Sequence, residues 1–223
     1  MGLDMRPMGK PRPGCEQEFE DLFAILSGKK KESLSVFEKL NGKKLRTREE
    51  LLKEWFAAQI PSYETLNAPR VGRDKAADEW IKQKYEETDK TVPLEKFITE
   101  HQGYYVIGLS PEKDGVPVYV SFGQDENVFR GQFLADCSDV IGEELVNEAW
   151  ITKSARETLD YGERLMGAAD KVADAHDLAY LKKQYLPPDT DQDSLESKLH
   201  IVYSLAKWLI FYGRNGHGYE ADY

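Results

Sequence analysis

The sequence contains too few cysteines to suggest a disulfide framework or a zinc site. Cys15 and Cys137 are the only two in 223 residues, they lie far apart, and they form no CxxC pair. A thiol nucleophile needs a base within hydrogen-bond reach, and the sequence assigns none to Cys137. We therefore expect reduced thiols, with Cys137 as a small buried side chain.

Long apolar runs are also missing. A membrane-spanning helix needs about 20 mostly apolar residues, and the longest apolar stretch, residues 199–212, is interrupted by His200 and Lys207. The first residues carry prolines and charges where a signal peptide would have a continuous apolar segment. These features predict a cytoplasmic protein that does not enter the membrane.

Positive charge is in deficit, because 40 acidic residues outnumber 30 lysines and arginines and give a formal net charge of -10. An acidic surface repels a phosphate backbone, which disfavours binding to nucleic acid. The basic residues within 29–31 and 43–48 are the one exception, but acidic residues at 49, 50 and 54 follow them directly. We therefore do not expect nucleic acid as a partner.

Short catalytic motifs are absent as well. The sequence contains no GxxxxGK[ST], GxGxxG, GxSxG, HExxH or CxxC pattern. The common nucleotide-binding, hydrolase and metalloprotease functions therefore receive no support. Whether the protein is an enzyme stays open at this point, and no cofactor is predicted.

Apolar residues at helical spacing dominate the first hundred positions. They predict one helix over residues 16–26. They predict another that opens with Thr47 and Glu50, which form a capping-box pattern. Asp74 and Pro93 precede two further helical patterns. The first half of the chain is therefore predicted to be mostly helical.

The second half returns to helical spacing from Ser138 onward. A long helix is predicted from Ser154 to about Tyr185, and a last one from Ser194 to Tyr212, with Gly213 as its stop. The last helix is apolar on almost every side, which is typical of a buried helix.

Between these helical parts the apolar pattern changes to a period of two. Residues 104–109 are aromatic and β-branched, valines alternate with other residues over 116–121, and turn-forming residues lie between them. This predicts a β-hairpin, and residues 128–134 could add a third strand. The predicted fold class is thus α+β and predominantly helical, with a small antiparallel β-sheet mid-chain and a buried C-terminal helix.

The prolines near the N-terminus exclude a helix over residues 6–14. We therefore predict an extended N-terminal arm, residues 1–14, followed by a single α+β domain, residues 15–223. A further division near residue 101 stays open, with a helical part over 15–101 and an α+β part over 102–223.

Acidic residues on two of the predicted helices indicate one alternative function. Asp170 and Asp174 lie one turn apart on the long helix, and Glu144 and Glu148 could meet them from the preceding helix. Such carboxylates hold magnesium in phosphohydrolases. A divalent-metal-dependent phosphohydrolase is therefore the alternative, although a solvated helix face explains the same pattern.

A second acidic pattern, Asp189, Asp191 and Asp193, has the spacing of the first half of a calcium-binding EF-hand loop. Its second half fails, because the positions that require glycine and a bidentate glutamate hold Ser194 and His200. The alternative is that Asp193 with Glu196 caps the last helix, where acidic groups favour its positive N-terminal end. Magnesium or calcium thus enters only under these alternative functions.

Aromatic and polar residues in a loop, the last helix and the tail indicate a binding surface. The loop over residues 61–72 is long enough to be functional, the tail after Gly213 could close over a ligand, and the last helix carries a polar strip that either lines a pocket or faces water. Tyr104 and Tyr105 are contact candidates with core packing as the alternative. Five candidate ligand- or partner-binding residues come from the loop, strip and tail: Tyr63, His200, Lys207, His217 and Tyr219. The function that the sequence favours is a non-catalytic binding or interaction domain for a protein or small-molecule partner, and homo-oligomers stay open.

Overall fold

A computed structural model describes residues 2–35, 40–42, 44–110 and 128–223. Helices dominate these residues and two small antiparallel sheets accompany them, which confirms the predicted α+β, mostly helical class. The chain divides into two compact units, a smaller one over Gly9–Pro61 and a larger one made of Met1–Met8 and Ser62–Tyr223. No helix in the described ranges is long and apolar enough to cross a membrane.

The helices and strands have the following bounds. The α-helices of the described residues are α1 (Glu16–Leu26), α2 (Arg48–Ala57), α3 (Ser62–Thr65), α4 (Lys75–Glu86), α5 (Leu94–Glu100), α6 (Ser138–Ile141), α7 (Glu143–Glu148), α8 (Ala155–Ala175) and α9 (Leu195–Arg214). The strands are β1 (Asp4–Pro7), β2 (Lys10–Pro11), β3 (Gln59–Ile60), β4 (Phe129–Arg130) and β5 (Tyr219–Asp222). Short 3₁₀ segments in the same described ranges cover Ile107–Leu109, Gly131–Cys137 and Ala179–Lys183.

The smaller unit pairs α1 with α2 and β2 with β3. The predicted capping box at the start of α2 is confirmed, since the Thr47 hydroxyl accepts a hydrogen bond from the Glu50 amide at 3.2 Å and the Glu50 carboxylate accepts one from the Thr47 amide at 2.7 Å. Phe19 of α1 stacks on Trp55 of α2 with ring centroids 4.5 Å apart. This aromatic contact joins the apolar faces of the two helices.

The core of the larger unit is the contact between α8 and α9. The last helix is buried, as predicted, and Trp208, Leu209 and Tyr212 have no exposed surface. Gly213 does not end this helix, which continues to Arg214. Instead it allows close approach, because a Cβ at this position would lie 2.7 Å from the amide nitrogen of Leu159 on α8.

The three-stranded sheet joins distant parts of the chain, with β1 between β4 and β5. Met5 pairs with both Phe129 and Ala221. Extended structure was predicted near the N-terminus and is found in β1 and β2, while the predicted division into a 1–14 arm and a 15–223 domain stays a prediction. The third strand predicted over 128–134 is two residues long before the backbone turns into a 3₁₀ segment.

The predicted hairpin is only partly within the described residues. Its first strand, 104–109, is not a strand but a single bridge between Tyr105 and Arg70, followed by the 3₁₀ turn Ile107–Leu109. Its second strand, 116–121, lies outside the described residues. The segment around Tyr105 thus takes its hydrogen-bond partners from residues 69–71.

The long helix is shorter than predicted, since α8 ends at Ala175 and not near Tyr185. His176 has a non-helical backbone and Asp177 adopts a left-handed conformation with φ of 59°. A short polar residue such as Asp tolerates that conformation and ends the helix there. The chain then forms the 3₁₀ segment Ala179–Lys183.

Candidate functional site

A cleft of about 430 Å³ lies in the larger unit, in the size range of small-molecule sites. It is formed by the predicted functional loop, the start of α4 and one residue beyond α5. Its lining residues are Tyr63, Glu64, Asn67, Ala68, Pro69, Arg70, Arg73, Asp74 and Tyr105.

Backbone hydrogen bonds between residues 69–71 and 103–106 form the frame of this cleft. The Val71 amide donates to the Tyr104 carbonyl at 2.9 Å, and the Gly103 amide donates to the Val71 carbonyl at 3.0 Å. The Val106 amide donates to the Pro69 carbonyl at 2.8 Å. The cleft is therefore held by main-chain contacts before any ligand arrives, which lowers the entropy lost on binding.

Two glycines permit the crossing of these segments. Gly103 has φ of 87°, and a Cβ there would lie 3.0 Å from the Nη2 atom of Arg70. Gly72 has φ of 83°, and a Cβ there would lie 1.6 Å from the side-chain nitrogen of Gln102. Any larger residue at either position would need an unfavourable backbone conformation and would displace a neighbouring side chain.

Aromatic rings and one guanidinium form the wall of the cleft. Tyr63 and Tyr105 stack with centroids 4.4 Å apart and planes inclined by 24°. The Cζ atom of Arg70 lies 5.2 Å from the centroid of the Tyr105 ring, and its Nε donates to the Gly103 carbonyl at 3.1 Å. These contacts fix the plane of the Arg70 guanidinium beside the rings.

Two carboxylates near the cleft, those of Asp74 and Asp78, bind the backbone of its loop. Asp74 is the N-cap residue of α4, but its side chain makes no cap bond and instead accepts from the Arg70 amide at 2.8 Å. Asp78 accepts from the Gly72 amide at 2.7 Å. Within the described part of the chain, no carboxylate lies within 4.0 Å of the guanidinium of Arg70 or of Arg73.

His217 lies behind the helix that carries Tyr63 and has no exposed surface. Its Nδ1 is 2.9 Å from the Met8 carbonyl oxygen, and its Nε2 is 2.7 Å from the Thr65 hydroxyl. A carbonyl oxygen can only accept, so the Nδ1 atom donates to Met8. His217 therefore links α3 to the segment after β1, and in this conformation it is not open to a partner.

Tyr219 is also interior, with no exposed surface. Its hydroxyl is within hydrogen-bond distance of the carbonyls of Glu148 and Ala149, at 3.3 and 3.2 Å. The tail, for which closure over a ligand was one possibility, forms β5 at this point. Burial raises the pKa of Tyr219 well above its ordinary value, so the phenol stays protonated.

The polar strip on the last helix faces the interior more than water. His200 is 1% exposed, Lys207 is half-buried, and neither lines the cleft. Burial lowers the pKa of His200, and burial together with the charge of Lys182 lowers the pKa of Lys207. Tyr203, on the same strip, donates to a carboxylate oxygen of Asp170 at 3.1 Å.

The four predicted metal-binding carboxylates belong to no cluster of possible metal ligands among the described residues. No group of three His, Cys, Asp or Glu side chains in the described ranges could hold a metal ion. Glu144 and Asp174 are exposed, and Asp170 accepts two bonds from the Lys182 ammonium, at 2.9 and 2.8 Å.

Glu148 is likewise committed to cations. Its two oxygens accept from the Arg164 guanidinium at 2.7 and 2.6 Å, and Lys153 lies at 3.2 Å. The hydrogen bonds from Arg164 hold the pKa of Glu148 below its ordinary value, although partial burial opposes this. A carboxylate in this position stabilises α8 against α7.

The acidic residues before the last helix do not cap it as predicted. Ser194 is the N-cap, and its hydroxyl accepts from the Ser197 amide at 3.2 Å. Asp191 accepts from the Asp193 amide at 3.2 Å, which is a local turn contact. The cap prediction was therefore wrong by one residue, because serine binds the free amides of a first turn as well as aspartate does.

Cys137 is buried, as predicted, and its burial raises the pKa of the thiol to about 12. A thiol with that pKa is almost entirely protonated at neutral pH and is a poor nucleophile. The structure thus gives this residue a packing role.

The length of its loop indicates Tyr63 in the sequence, but no sequence pattern indicates Arg70 or Arg73. Their position in the cleft depends on the pairing of residues 69–71 with 103–106, which no local pattern shows. The two glycines at 72 and 103 are the available signal, since an isolated glycine often marks a close backbone approach. The chain matches no protein-family model, no curated protein and no solved structure.

Proposed function

We propose that this chain is a non-catalytic binding protein and that the cleft beside Tyr63 and Tyr105 holds a small molecule. The observation that carries the proposal is the combination of a stacked tyrosine pair and two arginine side chains around about 430 Å³ of space. Ligand sites typically combine apolar walls with a few placed polar groups. The backbone frame supports the same conclusion, because a preformed site loses little entropy on binding.

The chemistry of the lining favours binding over catalysis. None of the residues that line the cleft is a serine, cysteine, histidine or lysine, so the lining holds no Ser–His or Cys–His pair of nucleophile and base. The phosphohydrolase alternative has less support, because Glu148 and Asp170 both form ion pairs with cations.

The setting that fits this function is the cytoplasm. Cys15 and Cys137 are both free thiols, which agrees with a reducing compartment. The negative net charge disfavours nucleic acid as the ligand. A protein partner or a second copy of the chain stays compatible with the same cleft if it inserts a side chain there.

A fragment library of neutral, cationic and anionic compounds tests the proposal. Ligand-observed NMR detects which compounds bind, and amide spectra of the isotope-labelled protein locate where they bind. We expect some compounds to bind and to shift the amide resonances of residues 63–74 and 105. Replacement of the stacking ring in Tyr63→Ala should weaken these compounds about tenfold or more. Tyr180→Ala is the matched control, because Tyr180 is exposed and does not line the cleft.

The proposal fails if no class of compound binds, or if the bound compounds shift resonances elsewhere and leave those of the cleft unchanged. If Tyr63→Ala unfolds, Tyr63→Phe replaces it as the variant. The shifts of the amide resonances in the unmodified protein also decide the question, because that measurement needs no variant.

A further inference from the structure

The cleft holds two guanidinium groups in a chain whose charges are mainly negative. Arg70 and Arg73 are three residues apart in the loop before α4, and among the described residues neither has an ion-pair partner. The nearby carboxylates of Asp74 and Asp78 accept from backbone amides of the same loop. Asp74 and Asp78 therefore hold the backbone of the loop and form no ion pair with these two arginines.

The Arg70 guanidinium is oriented before a ligand binds. Its Nε–H bonds the Gly103 carbonyl and its plane lies near the ring of Tyr105. The terminal Nη donors are distinct from this Nε contact and present the fork that matches a carboxylate or a phosphate. A guanidinium fixed in this way loses little side-chain freedom when it binds an oxyanion.

The stacked rings of Tyr63 and Tyr105 lie next to this donor. Aromatic faces favour planar apolar groups in offset or edge contacts, and the cleft has room for a ring as well as an anionic group. We propose that the ligand is a small aromatic oxyanion whose carboxylate or phosphate binds Arg70 and Arg73 while its ring packs against Tyr63 and Tyr105. This inference rests on the proposed function of the cleft and names the class of ligand.

Acidic side chains on the lining make the proposal more specific. Glu64 and Asp74 balance the formal charge of the two arginines, so the net charge of the cleft does not explain a preference for anions. The preference must come from the positions of the donors. Glu64 is exposed and repels an anion, so Glu64→Gln should strengthen anion binding two- to fivefold, by about the magnitude of a surface charge interaction.

Three probes of similar size separate the contribution of the anionic group from that of the aromatic ring. They are phenyl phosphate, benzoate and neutral benzyl alcohol, each titrated with the full chain and followed by ligand-observed NMR. We expect at least one anion to bind about tenfold or more tightly than benzyl alcohol, as charge-assisted hydrogen bonds require. The two anions distinguish a phosphate from a carboxylate as the preferred group.

Variants then assign the preference to the cleft. Arg73→Gln should weaken the preferred anion about five- to tenfold and leave benzyl alcohol unchanged. Arg70→Lys keeps the charge but loses the planar fork, so it should weaken the same anion. Arg156→Gln is the matched control, because Arg156 is an exposed arginine on α8 and should change neither titration.

The outcomes separate this inference from the proposed function. Equal binding of benzyl alcohol and both anions, or anion binding that Arg73→Gln and Arg156→Gln reduce equally, would overturn the anion preference while the cleft remained a binding site. Absence of all fragment binding at the cleft would overturn both.

Discussion

The contact between α8 and α9 makes a sharp prediction about two glycines on one helix. A Cβ at Gly162 would lie 2.8 Å from the Cβ of Leu209 and 3.0 Å from the backbone nitrogen of Ile210. At Gly167, five residues further along α8, a Cβ would meet nothing within 4 Å. Alanine at these positions tests whether the two helices are as close as described.

The two substitutions share a gain in helix propensity and differ in the packing cost of the added methyl group. Each replaces glycine by alanine in a helix, which gains about 1 kcal/mol of helix propensity. Gly167→Ala should therefore stabilise the protein by up to about 1 kcal/mol. The methyl group added by Gly162→Ala also forces α9 away from α8. Because the methyl group meets backbone atoms, which cannot turn aside, we expect the upper end of the overpacking cost of about 1–3 kcal/mol. The net result for Gly162→Ala is a loss of about 1–2 kcal/mol.

Urea denaturation followed by circular dichroism measures both free energies of unfolding, and thermal melts give a second reading. A difference of about 2–3 kcal/mol corresponds to roughly 4–12 °C between the two variants at this chain length. Gly213→Ala should behave like Gly162→Ala, because its Cβ would lie 2.7–2.9 Å from backbone atoms of Leu159. Equal stability of Gly162→Ala and Gly167→Ala would refute the close packing of α8 on α9.

Three further predictions follow from the charges and the backbone. Glu148→Gln should lower the free energy of unfolding by about 1–2 kcal/mol at pH 7, because hydrogen bonds from Arg164 lower the pKa of Glu148. In urea titrations this loss should shrink as pH falls through that lowered pKa. Glu144→Gln, an exposed control on the same helix, should show no loss. Lys207→Met should raise the free energy of unfolding by about 1 kcal/mol at pH 7, since burial lowers the pKa of this lysine. The gain should shrink as pH rises through that lowered pKa and be gone above about pH 10, where the lysine is neutral in both the folded and unfolded states; no gain in denaturation at pH 7 would contradict this. Gly103→Ala should cost about 1–2 kcal/mol, because its φ of 87° suits glycine, and should weaken cleft ligands; unchanged binding in a properly folded variant would count against the frame.

The helix starts could be predicted from sequence because their chemistry is local. Thr47 and Glu50 are three residues apart and bond each other's amides whatever the rest of the chain does. The buried last helix was also evident, because its apolar residues occur on nearly every side. Helix ends were less certain, since α8 stops at a left-handed Asp177 that no apolar pattern marks.

The sheet could not be predicted from sequence because its pairing is not local. The middle strand, β1, contains Met5, and its partners Phe129 and Ala221 are separated from it by most of the chain. A two-residue strand such as β4 has no periodicity of its own, so only its partner defines it. The burial of Tyr219 could not be predicted for the same reason. Its segment has the composition of a glycine-rich tail, and only the pairing of β5 with β1 makes it a strand.

The cleft illustrates how such non-local contacts produce a site. Tyr63 belongs to α3, which is only four residues long and cannot be stable by itself. Thr65 of the same helix reaches His217, and His217 donates to the Met8 carbonyl just after β1. The position of the aromatic wall therefore depends on both ends of the chain, and the position of Arg70 depends on Gly103. A binding site here is a property of the assembled larger unit, so the loop that carries most of its residues should show no affinity as an isolated peptide.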